Sequence, residues 1–200
     1  TEFQNHLIVD TDHDTALASH LFFFILKGKS FSNSFQIELI TLLSKRTEVK
    51  LAYRLFDVWQ TMGQPFGNSV LQQRMMVPRD RVLFNIGYNL PYDKWKLDLT
   101  VQWNGQARIT DPMQSLQATI DRKPMPILYS QSFMNINAQA SRAFKKFEVY
   151  LGGENLANFK QPNPIIHAED PFNKYFDAGQ TWGPVVGRMI YAGIRVKIKD

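Results

Sequence analysis

The chain has 200 residues, 44% hydrophobic and 20% charged, which is enough apolar material for an ordered domain and too much for a disordered one. Lys and Arg number 23 against 18 Asp and Glu, a formal charge of +5 without a Lys/Arg-rich run, so no nucleic-acid partner is implied. Cysteine is absent, which excludes a disulfide scaffold, thiolate metal sites and a cysteine nucleophile, and no apolar run approaches the ~18 residues of a membrane helix.

In chain order, the first expected strand carries Phe3, Asn5, Leu7 and Val9 on one face and alternates loosely. A long excursion from Thr11 to Ser30 follows. Asp10, Asp12 and Asp14, with His13 among them, imitate the start of a calcium loop and are the metal candidates. Thr15 stands where that loop needs Gly and Leu21 where it needs Glu, so an acidic outer loop is the simpler reading and no metal is expected. Gly28-Lys29-Ser30 imitates the end of a phosphate-binding loop, but Phe23 occupies the position of its first glycine. His6, His13, His20 and His167 lack zinc-ligand spacing, and no nucleophile elbow occurs. No catalytic residue and no cofactor are expected, and the chain does not read as an enzyme.

The remaining strands alternate with a period of two. Phe35, Ile37 and Leu39 oppose Gln36 and Glu38, and Val49, Leu51, Tyr53 and Leu55 oppose Lys50, Ala52 and Arg54. Val82, Phe84, Ile86 and Tyr88 make the next apolar face. Trp95 to Asn104 alternates without an error, with Trp95, Leu97, Leu99, Val101 and Trp103 against Lys96, Asp98, Thr100, Gln102 and Asn104. Met134, Ile136, Ala138 and Ala140 follow, then Phe147, Val149 and Leu151 opposite Glu148, then Ile190, Ala192, Ile194, Val196 and Ile198 opposite Arg195. About eight strands and no amphipathic helix result.

Connections alternate in length. Tight turns fall at Ser44 to Thr47, Leu90 to Lys94 and Arg142 to Lys145, and long loops at Thr11 to Ser30, Thr61 to Asp80, Gln106 to Leu128 and Ala157 to Gly187. A membrane barrel sorts its connections this way, with short periplasmic turns and long outer loops. In that reading the alternate polar positions Lys96, Asp98, Gln102, Glu148 and Arg195 face a lumen, because burying so many charges dry is prohibitively costly. A soluble β-sandwich with a solvated polar face and a small autonomous barrel are the alternatives that periodicity leaves open. Tyr53, Tyr88, Trp95 and Trp103 are expected at the lipid headgroup level. His167, Phe172, Tyr175 and Trp182 in the last long loop are the ligand-binding candidates, since outer loops carry recognition.

Several ordered motifs add a resemblance. Gly152-Gly153-Glu154-Asn155-Leu156-Ala157-Asn158 with Gln161 and Pro164-Ile165-Ile166, then Asp170-Pro171-Phe172, Phe176-Asp177-Ala178, Trp182-Gly183-Pro184 and Gly187-Arg188, resemble the end of TonB-dependent outer-membrane receptors. Gly28 to Phe35, Ala52-Tyr53-Arg54 and Val101-Gln102-Trp103-Asn104-Gly105 resemble the same family in its Bacteroidota form. The resemblance implies an all-β, antiparallel transmembrane barrel portion over residues 1–200, the last third of a barrel of roughly 22 strands. It also implies a Gram-negative outer-membrane location and import of a scarce nutrient such as an iron chelate or cobalamin. The implied partners are membrane lipid, the plug and other strands of the same receptor, and TonB, engaged through an N-terminal part with no counterpart in these residues.

Overall fold

The computed structural model describes residues 7–10, 22–25, 28–62, 70–110, 114, 117–118, 120–123, 126–165, 167–172, 176 and 178–196. The strands are β1 (Leu7–Asp10), β2 (Phe22–Ile25), β3 (Ser30–Ser44), β4 (Thr47–Met62), β5 (Val70–Gln73) and β6 (Asp80–Asn89). They continue with β7 (Trp95–Asn104), β8 (Arg108–Ile109), β9 (Leu128–Tyr129), β10 (Phe133–Ala143), β11 (Phe147–Glu154) and β12 (Met189–Val196). One sheet dominates, in the order β12-β11-β10-β7-β6-β4-β3, with β5 pairing the far end of β4. Every pairing in it is antiparallel. The fold is all-β and antiparallel.

Register carries the alternation of single strands across the sheet. Leu39, Leu51, Phe84, Val101 and Ile136 are successive cross-strand partners, and so are Val49, Ile86, Leu99, Ala138, Gly153 and Ile190. Partners share a face in a pleated sheet, so these rows form one continuous apolar face. The other face is polar except on β3, where Ile40 and Leu42 stand opposite Lys50 and Glu48. Lys50, Asn85, Thr100 and Asn137 make one of its rows, and Glu48, Gly87, Asp98, Gln139, Gly152 and Tyr191 another. A slip of one residue anywhere would exchange the faces, so burial of either one in its own medium fixes the register.

Nothing among the described residues covers the apolar face. Leu39 is 58% exposed, Ile190 72% and Ile194 66%. A sandwich would bury such a face against a second sheet about 10 Å away; here the large aliphatic side chains lie open. Buried side chains gather mostly where the long connections leave the sheet, and most are polar, including Gln72, Asn104, Arg108, Ser130, Asn155 and Gln161.

The three tight turns occupy one end. Ser44 and Thr47 hydroxyls lie 2.9 Å apart across the first. A 3-10 turn at Pro91–Asp93 makes the second, and Phe144 to Lys146 separate β10 from β11 in the third. Asn89 N–H donates to the Arg46 carbonyl (2.8 Å) and Ala143 N–H to that of Lys94 (2.7 Å), tying neighbouring turns into a rim. Connections from β4 to β6, β7 to β10 and β11 to β12 all leave from the opposite end.

The first expected strand is corrected. β1 pairs with β2 in a separate two-stranded sheet, with Leu7 opposite Ile25 and Asp10 opposite Phe22, and does not join the main sheet. Phe3 and Asn5 of the expected strand lie outside the described residues. Phe22-Phe23-Phe24 has no polar alternation, so its strand character was hidden inside the expected first long loop. The main sheet therefore ends on β3. The other long connections also carry short strands, β5 in one and the β8–β9 pair in another.

Candidate functional site

At the long-loop end, irregular backbone is held by buried amides. Asn155 follows β11 in a left-handed conformation (φ 48°), which Asn tolerates better than most residues. Its Nδ2 donates to the carbonyls of Phe159 (2.7 Å) and Val186 (3.1 Å), and its Oδ1 accepts from Phe159 N–H (3.1 Å). The Asn155 N–H in turn donates to Asn137 Oδ1 on β10. One side chain thus fixes both ends of the last loop to the sheet.

Gln161 does the same one step outward. Its Oε1 accepts from the N–H groups of Trp182 (2.8 Å) and Gly183 (2.9 Å), and its Nε2 donates to the Gln180 carbonyl (2.7 Å). This closes the Phe133, Phe159 and Trp182 rings into a cluster, the two Phe rings stacked at 5.0 Å and Trp182 tilted against both at 6.1 Å. The loop is folded onto the rim by hydrogen bonds and aromatic packing.

Between this loop and the β8–β9 pair lies a cavity of about 600 Å³, lined by Thr110, Tyr129, Gln161, His167, Glu169 and Trp182 among others. Its wall mixes apolar surface with donors and acceptors, the composition of a small-molecule site. His167 Nδ1 lies 3.1 Å from Glu169 Oε1. A backbone hydrogen bond at Glu169 itself, and then the His167 ring, hold the Glu169 carboxyl below its ordinary range. The cavity therefore presents a carboxylate, an imidazole and an indole to whatever enters it.

Two of the four outer-loop candidates, His167 and Trp182, share this cavity. Phe172 is 99% exposed and lines no wall of it, and Tyr175 lies outside the described residues. Asp12 and Asp14 also lie outside them, and Asp10 ends β1. Among the described residues no group of His, Asp and Glu is arranged to hold a metal ion. Lys96, Asp98 and Gln102 stand on the polar face of β7, and Glu148 and Arg195 on the same face of β11 and β12, where they pair at 3.3 Å. Of the aromatics expected at the headgroup level, Tyr53 in the middle of β4 donates to Asp80 (2.5 Å), and Trp95 at the start of β7 lies under the Arg142 guanidinium at 5.2 Å.

Sequence reasoning did not single out Asn155 or Gln161 as fastenings, nor Arg54 and Arg81 as neighbours. An Asn or Gln in a polar loop carries no signal of burial. The two arginines belong to different strands, and only register brings them together.

No family model and no curated protein matches the chain. Solved structures share its architecture. The structure of the FpvAI–pyocin S2 complex superposes with a TM-score of 0.56 at 11% identity, covering 96% of this chain and 23% of that one. The crystal structure of the ferripyoverdine receptor of the outer membrane of Pseudomonas aeruginosa, bound to ferripyoverdine, gives 0.56 at 13% identity, covering 94% and 23%. The fold is that of part of an outer-membrane receptor barrel. The chain spans 23% of the length of each of those receptors, and at such identity the likeness concerns the fold alone.

Proposed function

We propose that the chain is a barrel segment of an outer-membrane active transporter, with its apolar face toward lipid and its polar face toward the lumen and the plug. The observation that carries this is the pair of continuous faces. An uncovered apolar face seven strands wide is an aggregation hazard in water and a normal surface in a bilayer. Sorting of turns and loops to opposite ends supports the same reading, with the turns periplasmic and the cavity of His167 and Trp182 open to the outside. The segment performs no chemistry and needs no cofactor.

A scarce nutrient of the iron-chelate or cobalamin class is the proposed cargo. The ordered motifs of the chain, and the ferripyoverdine bound to one solved structure of the same fold, support that class. TonB coupling belongs to parts of the receptor outside these residues, and the Bacteroidota affinity rests on the motifs alone.

Single cysteines at Asp98 and Leu99 test the orientation, since the chain has no cysteine of its own. In the intact receptor in its membrane, a cysteine at 98 is expected to react with a water-soluble maleimide and one at 99 with a lipid-soluble label. The reverse pattern, or equal reaction of both with the water-soluble reagent, overturns the assignment.

A further inference from the structure

The polar face is uneven in charge. Toward the turns it mixes signs, with Glu48, Lys96, Asp98, Glu148 and Arg195. Toward the long loops one cross-strand row reads Gln36, Arg54, Arg81, Asn104 and Phe133. Arg54 and Arg81 stand directly opposite each other, an arrangement that repels unless an anion lies between or above them.

Among the described residues no carboxylate in the neighbourhood answers them. Asp80, next along β6, points to the other face and accepts the Tyr53 hydroxyl. Asp57 is taken by Trp59 Nε1 (2.8 Å) and Arg79 (3.6 Å), and Glu38 by Lys50 (2.9 Å). Arg54 stacks over Phe56 at 5.6 Å, and its Nε is shielded from solvent without an acceptor. Asn104 is only 2% exposed. Its Oδ1 accepts from both Arg81 Nε and Gln102 Nε2, each at 2.9 Å, which fixes the amide orientation and leaves Nδ2 as a buried donor with no acceptor. Two guanidiniums and a buried amide thus present donors along one row, and buried donors without acceptors are costly.

From this we infer that Arg54, Arg81 and Asn104 form a carboxylate-binding site on the polar face, at its long-loop end. Planar guanidiniums match a carboxylate in two-point contact, and the charge-assisted bonds offset the repulsion between the arginines. The inference rests on the lumenal reading of this face. Two sources can supply the carboxylate there: an acidic side chain of the lumen-filling part of the same receptor, or a carboxylate borne by the passing cargo.

The experiment uses the intact receptor with Arg54→Gln, Arg81→Gln and the charge-keeping Arg81→Lys, reading thermal midpoints and citrate binding by calorimetry. Removing one of two unanswered like charges would raise the midpoint or leave it unchanged; removing half of an occupied site lowers it. The expected result is a lowered midpoint in both Gln variants with partial recovery in Arg81→Lys. If citrate also binds the unmodified receptor and weakens about tenfold or more in the Gln variants, the site is open to cargo. If citrate does not bind while the midpoints fall, the carboxylate belongs to the receptor. Midpoints at or above that of the unmodified receptor, with no citrate binding, overturn the site. Heat-modifiable migration of the unmodified protein from the outer membrane is scored separately, and its absence would overturn the membrane reading instead.

Discussion

Tyr191 lies across Gly152, its register partner on β11, so closely that a β-carbon on Gly152 would stand 2.7 Å from the ring's Cε2. The neighbouring pair repeats the arrangement in the opposite sense, with Tyr150 lying across Gly193. The two rings meet edge to face, with centroids 6.3 Å apart, and the Tyr191 hydroxyl reaches over β11 to donate to Gln139 Oε1 on β10 (3.1 Å). Glycine, a weak strand former, is here the floor on which a ring lies flat against the sheet.

Gly152→Ala is therefore expected to displace the ring, break its bond to Gln139 and cost about 1–3 kcal/mol of unfolding free energy. In a Tyr191→Ala background the same substitution should cost far less, because the clash partner is gone. Urea unfolding of the four proteins of this cycle provides the check. An equal cost of Gly152→Ala in both backgrounds would refute the account.

Leu99 stands between Ile86 and Ala138 in the middle of the apolar face. With lipid against that face, Leu99→Arg should cost ~2–4 kcal/mol of folding free energy into liposomes. Asp98→Asn, one residue away on the polar face, should cost little by comparison. Equal effects of the two substitutions would mean that the faces do not meet different media.

Much of this was legible in the chain. Trp95 to Asn104 announced β7 to the residue, because a strand with one apolar and one polar face writes its period directly into the sequence. The alternation from Val49 to Leu55 covers only part of β4, since its far end, Trp59 to Met62, pairs with β5 and lies in an irregular region where alternation carries no single meaning. β1 stands apart from the main sheet, which the sequence does not show because pairing partners are a tertiary fact and a short stretch such as Leu7–Asp10 fits any sheet edge. Aromatic or titratable character in a long loop is the criterion for the outer-loop candidates. That criterion found His167 and Trp182 but gave no way to separate them from Phe172, which projects into solvent. Arg54 and Arg81 remained invisible as a pair, since no local pattern records which residues stand opposite.

Gln161 is 4% exposed and bonds at both ends of its amide, so its removal takes the acceptor from the Trp182 and Gly183 N–H groups and a donor from the Gln180 carbonyl. Gln161→Ala is expected to cost about 1–3 kcal/mol, confined to the outer loop and not spread over the sheet. Hydrogen exchange at the Trp182 and Gly183 amides should accelerate while the amides of β7 keep their protection. Unchanged exchange at Trp182 would show that the aromatic cluster alone holds the loop.

The main sheet has two open edges. β3, with 15 residues, and β12, with 8, each pair on one side only among the described residues. In a bilayer each unpaired backbone group along such an edge costs several kcal/mol. Joining β3 to β12 would remove the edges, but it would press Lys96, Asp98, Glu148 and Arg195 into an interior barely wide enough for side chains, since about eight strands enclose no channel. Both routes are unfavourable, so residues 1–200 expressed alone and reconstituted in liposomes are expected to form no conducting pore and no heat-modifiable monomer. On the proposed transporter reading, co-expression with the remaining strands should restore protease resistance to the same residues. A heat-modifiable, protease-resistant monomer from residues 1–200 alone would instead make this chain a small barrel in its own right.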